Sequence, residues 1–430
     1  MTGLGADAPI PSGLLPDTAE EQADGRLRIG GVDLLDLAAE FGTPLFVYDE
    51  AHLRARCREV RSILGERGAI YASKAFLCRA MAKLVASEDL RIDVATGGEL
   101  HVALAAGVAP ERLVLHGNNK SEAELATALD VGVGRIVVDS NDELDRIERL
   151  VARGAPRPSV LLRINPGIEV HTHEHVRTGN LDSKFGFPLP TGQAADALDR
   201  ASRSSAVTLT GLHLHIGSQV FSVANFLEGL RVVAPFVVDA DLPELIVGGG
   251  LGVAYVAGEQ APTLTEWATA IVEGCRDVGI RSEIAAEPGR AIAASAAVTL
   301  YTVGTVKFIP GVRTYVAVDG GMSDNPRPVL YGSGYETFLP RAVGARREMP
   351  IRLVGKHCES GDLLVREGFV PPDLAVGDVI ATPVTGAYGH SMGSNYNKVP
   401  RPAVVFVADG DARLVVRRET FDDLLATDCD

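Results

Sequence analysis

Between Pro44 and Ile292, short apolar runs alternate with longer amphipathic stretches. Eight of these runs read as buried strands, because each is brief, apolar and bounded by polar or glycine positions: Ala69 to Ala72, Leu90 to Ala95, Leu113 to Leu115, Arg135 to Val138, Val160 to Ile164, Leu209 to Ile216, Leu245 to Val247 and Glu283 to Ala286. Between them, Glu99 to Ala106, Glu122 to Asp130, Asp142 to Arg153 and Thr265 to Val278 repeat apolar positions at helical spacing. Such alternation predicts parallel strands joined by crossover helices. Eight units fit a (β/α)8 barrel, whose usual length of about 250 residues matches the span 42–292. An open doubly wound sheet is the alternative, and the count of eight without a Rossmann glycine fingerprint favours the barrel.

After Ala293 the helical stretches disappear. Val298 to Phe308, Thr314 to Val318, Ile351 to His357, Val379 to Ala381, Ala403 to Val407 and Arg413 to Arg417 read as strands, so 293–430 is expected to form a β-rich domain. Glu419 to Ala426 reads as a short closing helix. Roughly the first thirty residues are rich in Pro, Gly and acidic positions without a clear period and read as a tail or an arm laid on another domain, and the arm is taken to span 1–41.

Composition narrows the class. With 430 residues, 46% of them hydrophobic, the chain can bury a sizeable core, which excludes a disordered or fibrous protein. Its 56 acidic against 41 basic residues give a formal charge of -15, which argues against a nucleic acid or an anionic membrane as partner. The start MTGLGADAPIPSG has no basic stretch leading into an apolar one, and no run of about 18 apolar residues occurs, so a cytoplasmic protein is expected. The five cysteines are scattered without a C-x-x-C pair and read as reduced thiols.

In a β/α barrel, chemistry gathers on the loops after the C-terminal strand ends. Those positions are polar here: Lys74 after the first strand, Asp93 and Thr96 at the second, His116 and Asn118 after the third, and Arg163 and Asn165 at the fifth. The sixth strand carries His213, His215 and Ser218, the seventh runs into Gly248, Gly249, Gly250 and Gly252, and the eighth into Glu287, Gly289 and Arg290. Each has two readings. The glycines form either a phosphate cradle of bare N–H groups or a tight turn. Lys74, placed to be shielded, is either a Schiff-base amine or a salt-bridged lysine, and Glu287 either faces a pyridine nitrogen or pairs with Arg290. His213 and His215 share one side of their strand, where an imidazole either stacks on a flat ring or fills the core. The alternating His171, His173 and His175 suggest a metal, but no fourth ligand is evident and no metal is expected.

In the β-rich region, GKHCESGD (355–362) and TGAYGHSMGSNYN (385–397) are too polar for a sheet core. Cys358 beside Glu359 pairs a thiol with a carboxylate, and a thiol that stays protonated at neutral pH can deliver a proton to carbon. A buried, inert cysteine is the plainer reading.

Taken in order, YASKA, DVATGGEL, HGNNKS, GLHLHIGSQ, GGGLG, EPGRAI, GKHCESGD and TGAY resemble the diaminopimelate decarboxylases, pyridoxal 5'-phosphate enzymes built on an alanine-racemase-like barrel. The resemblance implies a β-domain joined by the N-terminal arm, and a homodimer with shared sites. It implies that Lys74 holds the cofactor as an internal aldimine, that Ser218, Gly249, Gly250, Gly289 and Arg290 help bind it, that Glu287 faces its ring nitrogen, that His215 stacks on the ring, and that Tyr388 touches cofactor and substrate. Arg290, Arg327 and Tyr331 would hold the substrate, Glu359 its second amino group, and Cys358 of the partner subunit would be the proton donor. Family members often carry other residues where this chain has Gly389 and His390.

The reaction so implied is loss of carbon dioxide from meso-diaminopimelate to give L-lysine. Decarboxylases of ornithine or arginine typically pair the cysteine with aspartate, whereas Cys358 precedes Glu359 here. A related decarboxylase for another basic or dicarboxylic amino acid and a non-catalytic protein that binds the cofactor remain the alternatives.

Overall fold

The computed structural model describes residues 8–167 and 181–429, and His171, His173 and His175 lie outside them. The chain divides into two compact units. One comprises Arg56–Val253 and Ala261–Ala291, the other Met1–Ala55, Ala254–Gln260 and Ile292–Asp430.

The first unit is the barrel. Its strands are Ile70–Ala72, Arg91–Val94, Leu113–Leu115, Arg135–Val138, Ser159–Asn165, Thr208–Leu214, Glu244–Ile246 and Glu283–Ala285, each parallel to the next. A bridge between Ala69 and Ala286 closes the ring, with Ile70 N–H donating to the Ala286 carbonyl at 3.1 Å. Helices Gly97–Ala105, Glu122–Val131, Asn141–Ala152 and Leu264–Asp277 begin where Thr96, Ser121, Ser140 and Thr263 turn a side-chain oxygen onto the third helical N–H. Ser121 with Glu124 and Thr263 with Glu266 are full capping boxes, which satisfy backbone donors that a helix start leaves open.

Side chains two apart along a strand share a face, and this parity sorts the barrel into layers. Arg91, Arg135 and Glu244 open strands two, four and seven. Two residues beyond Arg135 and Glu244 lie Val137 and Ile246, which pack fully buried in an apolar layer with Ile70, Val114, Leu161 and Ala285. Each Val, Leu or Ile side chain there contributes about 1.5–3 kcal/mol by leaving water. One step beyond come the polar residues Asp93, His116, Asp139, Arg163, His213 and Glu287. Alternate positions such as Ile92, Val94, Ile136 and Val138 are buried too, as strands covered by helices outside require.

The second unit is a mixed sheet in the order Leu363–Val370, Met349–Val354, Arg313–Val318, Ala297–Ile309, Leu45–Asp49, Ala403–Ala408, Asp411–Val416, with Val379–Pro383 also on Ala297–Ile309. The long strand Ala297–Ile309 is buried through Tyr301, where it pairs with Leu45–Asp49 and Val379–Pro383. Its exposed end pairs with Arg313–Val318 instead. The N-terminal arm contributes a small sheet of Glu20–Glu21, Leu27–Ile29 and Val32–Asp33, fastened to this unit by Gly410 N–H on the Gly30 carbonyl and by Arg347 on the Ala8 carbonyl.

Three features differ from the sequence reading. The sheet unit takes the chain through Ala55, beyond the boundary at 42, because LFVYD is a central strand of its sheet. Strand Leu363–Val370 was hidden by Arg366 and Glu367, and its register against Met349–Val354 shifts twice. The expected helix Glu419–Ala426 is only a 3-10 turn at Asp423–Leu425, at whose start Asp423 accepts from the Thr420 N–H and hydroxyl and pairs with Arg417.

Candidate active site

Among the described residues, those singled out in the barrel sequence lie at or just beyond the C-terminal strand ends. Lys74 sits in the 3-10 turn Ser73–Ala75 directly after strand one and is exposed, not shielded, because the turn carries it past the strand end. Asp93, in strand two, is 6% exposed, and burial together with the Glu287 charge drives its carboxyl well above the usual range despite Lys74 nearby.

Glu287 is also 6% exposed and behaves oppositely. Burial opposes its charge, but His116 Nε2 lies 2.8 Å from Oε1 and His213 Nε2 3.1 Å from Oε2, and the two imidazoles hold the carboxyl well below its ordinary value. Both imidazoles are pushed down by the same burial, His213 to about 4. These three residues bring one donor atom each within 4.8 Å of one another. His116 and His213 stood out only as polar residues at strand ends; their meeting at Glu287 depends on barrel closure.

His215, just past strand six, accepts from Gly249 N–H through Nδ1 at 3.3 Å, and burial lowers its pKa strongly, so the ring is neutral. Gly250, at φ +109, sits so close to the Gly217 carbonyl that a Cβ would overlap it, and its own carbonyl accepts from Val220 N–H at 3.0 Å. Arg290 Nη2 donates to Ser218 Oγ at 3.1 Å, joining the turn after strand eight to that after strand six. Lys120 of HGNNKS is different. It is buried, donates to the Gly117 and Val137 carbonyls and pairs with Glu143 at 2.8 Å, so it serves the scaffold.

In the sheet unit, Cys358 and Glu359 are exposed. Cys358 N–H donates to Asn397 Oδ1 at 3.0 Å, and Glu359 Oε1 accepts from Gly361 N–H at 3.1 Å. Buried Asp362 holds this turn by accepting from His357 N–H at 2.8 Å and Met322 N–H at 2.7 Å, while His357 Nε2 meets Ser323 Oγ at 2.9 Å. Arg327 is buried, its guanidinium 4.1 Å from the Tyr255 ring centroid and donating to the Tyr335 hydroxyl; Tyr331, in the same short helix, is exposed. Tyr388 is half-buried at φ +60, in a segment where Tyr48 donates to the Gly386 carbonyl at 2.9 Å, and Gly389 packs near Phe46. Tyr255, Tyr335 and Asp362 escaped the sequence reading, although Asp362 closes the very motif that was singled out.

Residues 50–294 match the model of the pyridoxal-dependent decarboxylase, pyridoxal binding domain family. The chain is 46% identical over 418 residues to the diaminopimelate decarboxylase of Mycobacterium tuberculosis, covering 93% of this chain and 94% of the relative. It is 44% identical to that of Bacillus subtilis, covering 96% and 98%. A crystal structure of diaminopimelate decarboxylase from M. jannaschii in complex with L-lysine superposes with a TM-score of 0.89 at 32% identity, over 96% of this chain and 98% of the other. The chain belongs to the diaminopimelate decarboxylase family.

It is therefore a pyridoxal-phosphate carboxy-lyase, and the barrel residues fit that cofactor. A carboxylate kept ionised by two N–H donors suits a protonated ring nitrogen, and neutral His215 suits the face of a flat ring. A glycine turn with no room for a Cβ, beside Ser218 and Arg290, suits a phosphate. Among the described residues no helix is long and apolar enough to cross a membrane.

Proposed function

We propose that this member of the diaminopimelate decarboxylase family, acting in the cytoplasm as a homodimer, removes the carboxylate at the D-configured centre of meso-diaminopimelate to give L-lysine, the last step of lysine biosynthesis. The observation that carries the reading is Glu287, a buried carboxylate held ionised by two imidazoles on the same barrel face as Lys74. Its likeness to relatives named for this substrate, one of them solved with L-lysine, supports the substrate.

Lys74 tethers the cofactor, Gly249, Gly250, Gly289, Ser218 and Arg290 hold its phosphate, His215 stacks on its ring, and Tyr388 touches both it and the substrate. Bound pyridoxal phosphate supplies the sink for the electron pair left when the carboxylate departs. Cys358, reaching in from the partner subunit, delivers a proton to the carbon that lost its carboxylate. Its exposure in a single chain supports this role. Glu359 takes the far ammonium, while Arg290, Arg327 and Tyr331 hold carboxylate, for which a guanidinium offers two parallel N–H donors. A substrate lacking the far carboxylate leaves an arginine unpaired, which sets the selectivity.

The test is carbon dioxide release by the purified protein with added pyridoxal phosphate, comparing meso-diaminopimelate with L-lysine, L-ornithine and L-arginine. Release from meso-diaminopimelate alone, with lysine formed, is expected. Release only from another of the four overturns the substrate assignment, and a yellow protein silent on all four overturns the activity.

A further inference from the structure

Asp93 and Glu287 are both only 6% exposed in the same polar layer of the barrel, yet one carboxyl is driven toward its neutral form and the other toward its anion. The difference is the pair of imidazoles. Strand three delivers His116 to Oε1 and strand six delivers His213 to Oε2, at 2.8 and 3.1 Å. The rings meet edge to face, with centroids 4.8 Å apart and planes at 68°, so each limits the swing of the other.

We propose that His116 and His213 are positioning residues that act through Glu287: by donating Nε2–H to its two oxygens they fix the carboxylate plane and keep it the partner of a protonated cofactor ring nitrogen. The inference rests on the reading that Glu287 faces that nitrogen.

The tautomers follow from the geometry. Burial keeps both rings neutral, so each has a single N–H. A lone pair at Nε2 would face a carboxylate oxygen at these distances, and Nδ1 of His213 is buried without a partner among the described residues, so the proton of His213 is assigned to Nε2. Arg163 and Lys120 are the other charged groups whose fields reach the two imidazoles, and Asp93 and His215 are the titratable neighbours that feel Glu287, both of them also near Lys74. Arg163 and Lys120 disfavour a proton on His116, which preserves neutral donors.

The experiment is nitrogen-15 NMR of holoenzyme reconstituted with ring-labelled pyridoxal phosphate, followed against pH, with kcat and KM measured alongside. In His116→Phe and His213→Phe the ring shape remains and the donor is lost. Each is expected to lower the apparent pKa of the bound ring nitrogen by about one unit, a tenfold loss of its protonated fraction above that pKa, and to lower kcat more than KM. His116→Gln and His213→Gln keep an N–H near the same place and are expected to restore the protonated signal. Glu287→Gln separates the two readings. If it shifts the nitrogen and neither Phe variant does, the positioning role is overturned while Glu287 keeps its place; if it leaves the nitrogen unmoved, the reading of Glu287 itself fails. Should a Phe variant not fold, the Gln variants decide: a nitrogen that deprotonates in folded Gln holoenzyme despite the retained N–H overturns the proposal, and a protonated one supports it.

Discussion

Arg135 and Glu244, 109 positions apart, meet in a buried two-point ion pair at the start of barrel strands four and seven, with Arg135 Nε 2.6 Å from Oε2. They lie on the other side of the apolar layer from His213 and Glu287, so the barrel carries a charged floor and a charged rim separated by aliphatic side chains. Burial, reinforced by the Arg135 charge, lowers the neighbouring Arg91 to about 10, and Glu244 offsets part of that.

Removing one partner from such a pair strands a buried charge. Arg135→Met is expected to lower unfolding free energy by about 3–5 kcal/mol, read as a reduced urea midpoint, while folded protein keeps its cofactor absorbance. Arg135→Met with Glu244→Leu is expected to recover most of the loss. Equal loss in the single and double variants would show that the pair is not what the site depends on.

Cys358→Ala is expected to leave the protein yellow and to lower kcat by about 10²- to 10⁴-fold, the usual worth of a placed general acid. The thiol is exposed and its backbone N–H is held by Asn397, so the substitution leaves the turn intact. Wild-type turnover in this variant would remove the proton-donor role.

Glu359→Gln keeps the length of the side chain and an oxygen for Gly361 N–H while removing the charge. A hydrogen bond to a charged group is worth about 1.5–3 kcal/mol, so kcat/KM for meso-diaminopimelate is expected to fall about 10- to 100-fold. A substrate without the second ammonium should be affected far less. An equal loss on all substrates assigns Glu359 to the turn rather than to recognition.

Asp324 links the sheet unit to pH. Burial, reinforced by Asp319 and Asp362 and opposed by Gly321 N–H at 2.9 Å, pushes its carboxyl up to about 7. An acid whose folded pKa exceeds its unfolded value, about 3.9, favours folding in its protonated form. That stability is fully present below pH 4 and is lost as pH rises toward 7. Asp324→Asn, neutral throughout, is expected to gain on wild type across this window, by up to a few kcal/mol, in denaturant midpoints taken at pH 4, 5.5 and 7. A constant difference would contradict the assignment.

The eight barrel strands were legible because each is a local apolar run, and the helices between them because their apolar positions repeat at helical spacing. The sheet unit was harder to read. Leu45–Asp49 gains its partners from Ala297–Ile309 and Ala403–Ala408, hundreds of positions away, and Ala254–Gln260 leaves the barrel to put Tyr255 over Arg327. No periodicity within a window encodes such pairings.

The sequence alone determined which side chains stand at the strand ends, because two-residue alternation is a property of the extended backbone: His213 and His215 share a side wherever their strand goes. Only the tertiary structure decided what those side chains become. Asp93 and Glu287 are both single acids after apolar runs, yet the closed ring brings His116 and His213 within hydrogen-bond reach of Glu287 and leaves Asp93 beside another carboxylate. Charge state in a buried layer is set by distance and desolvation, and both exist only once Ala69 and Ala286 have closed the barrel.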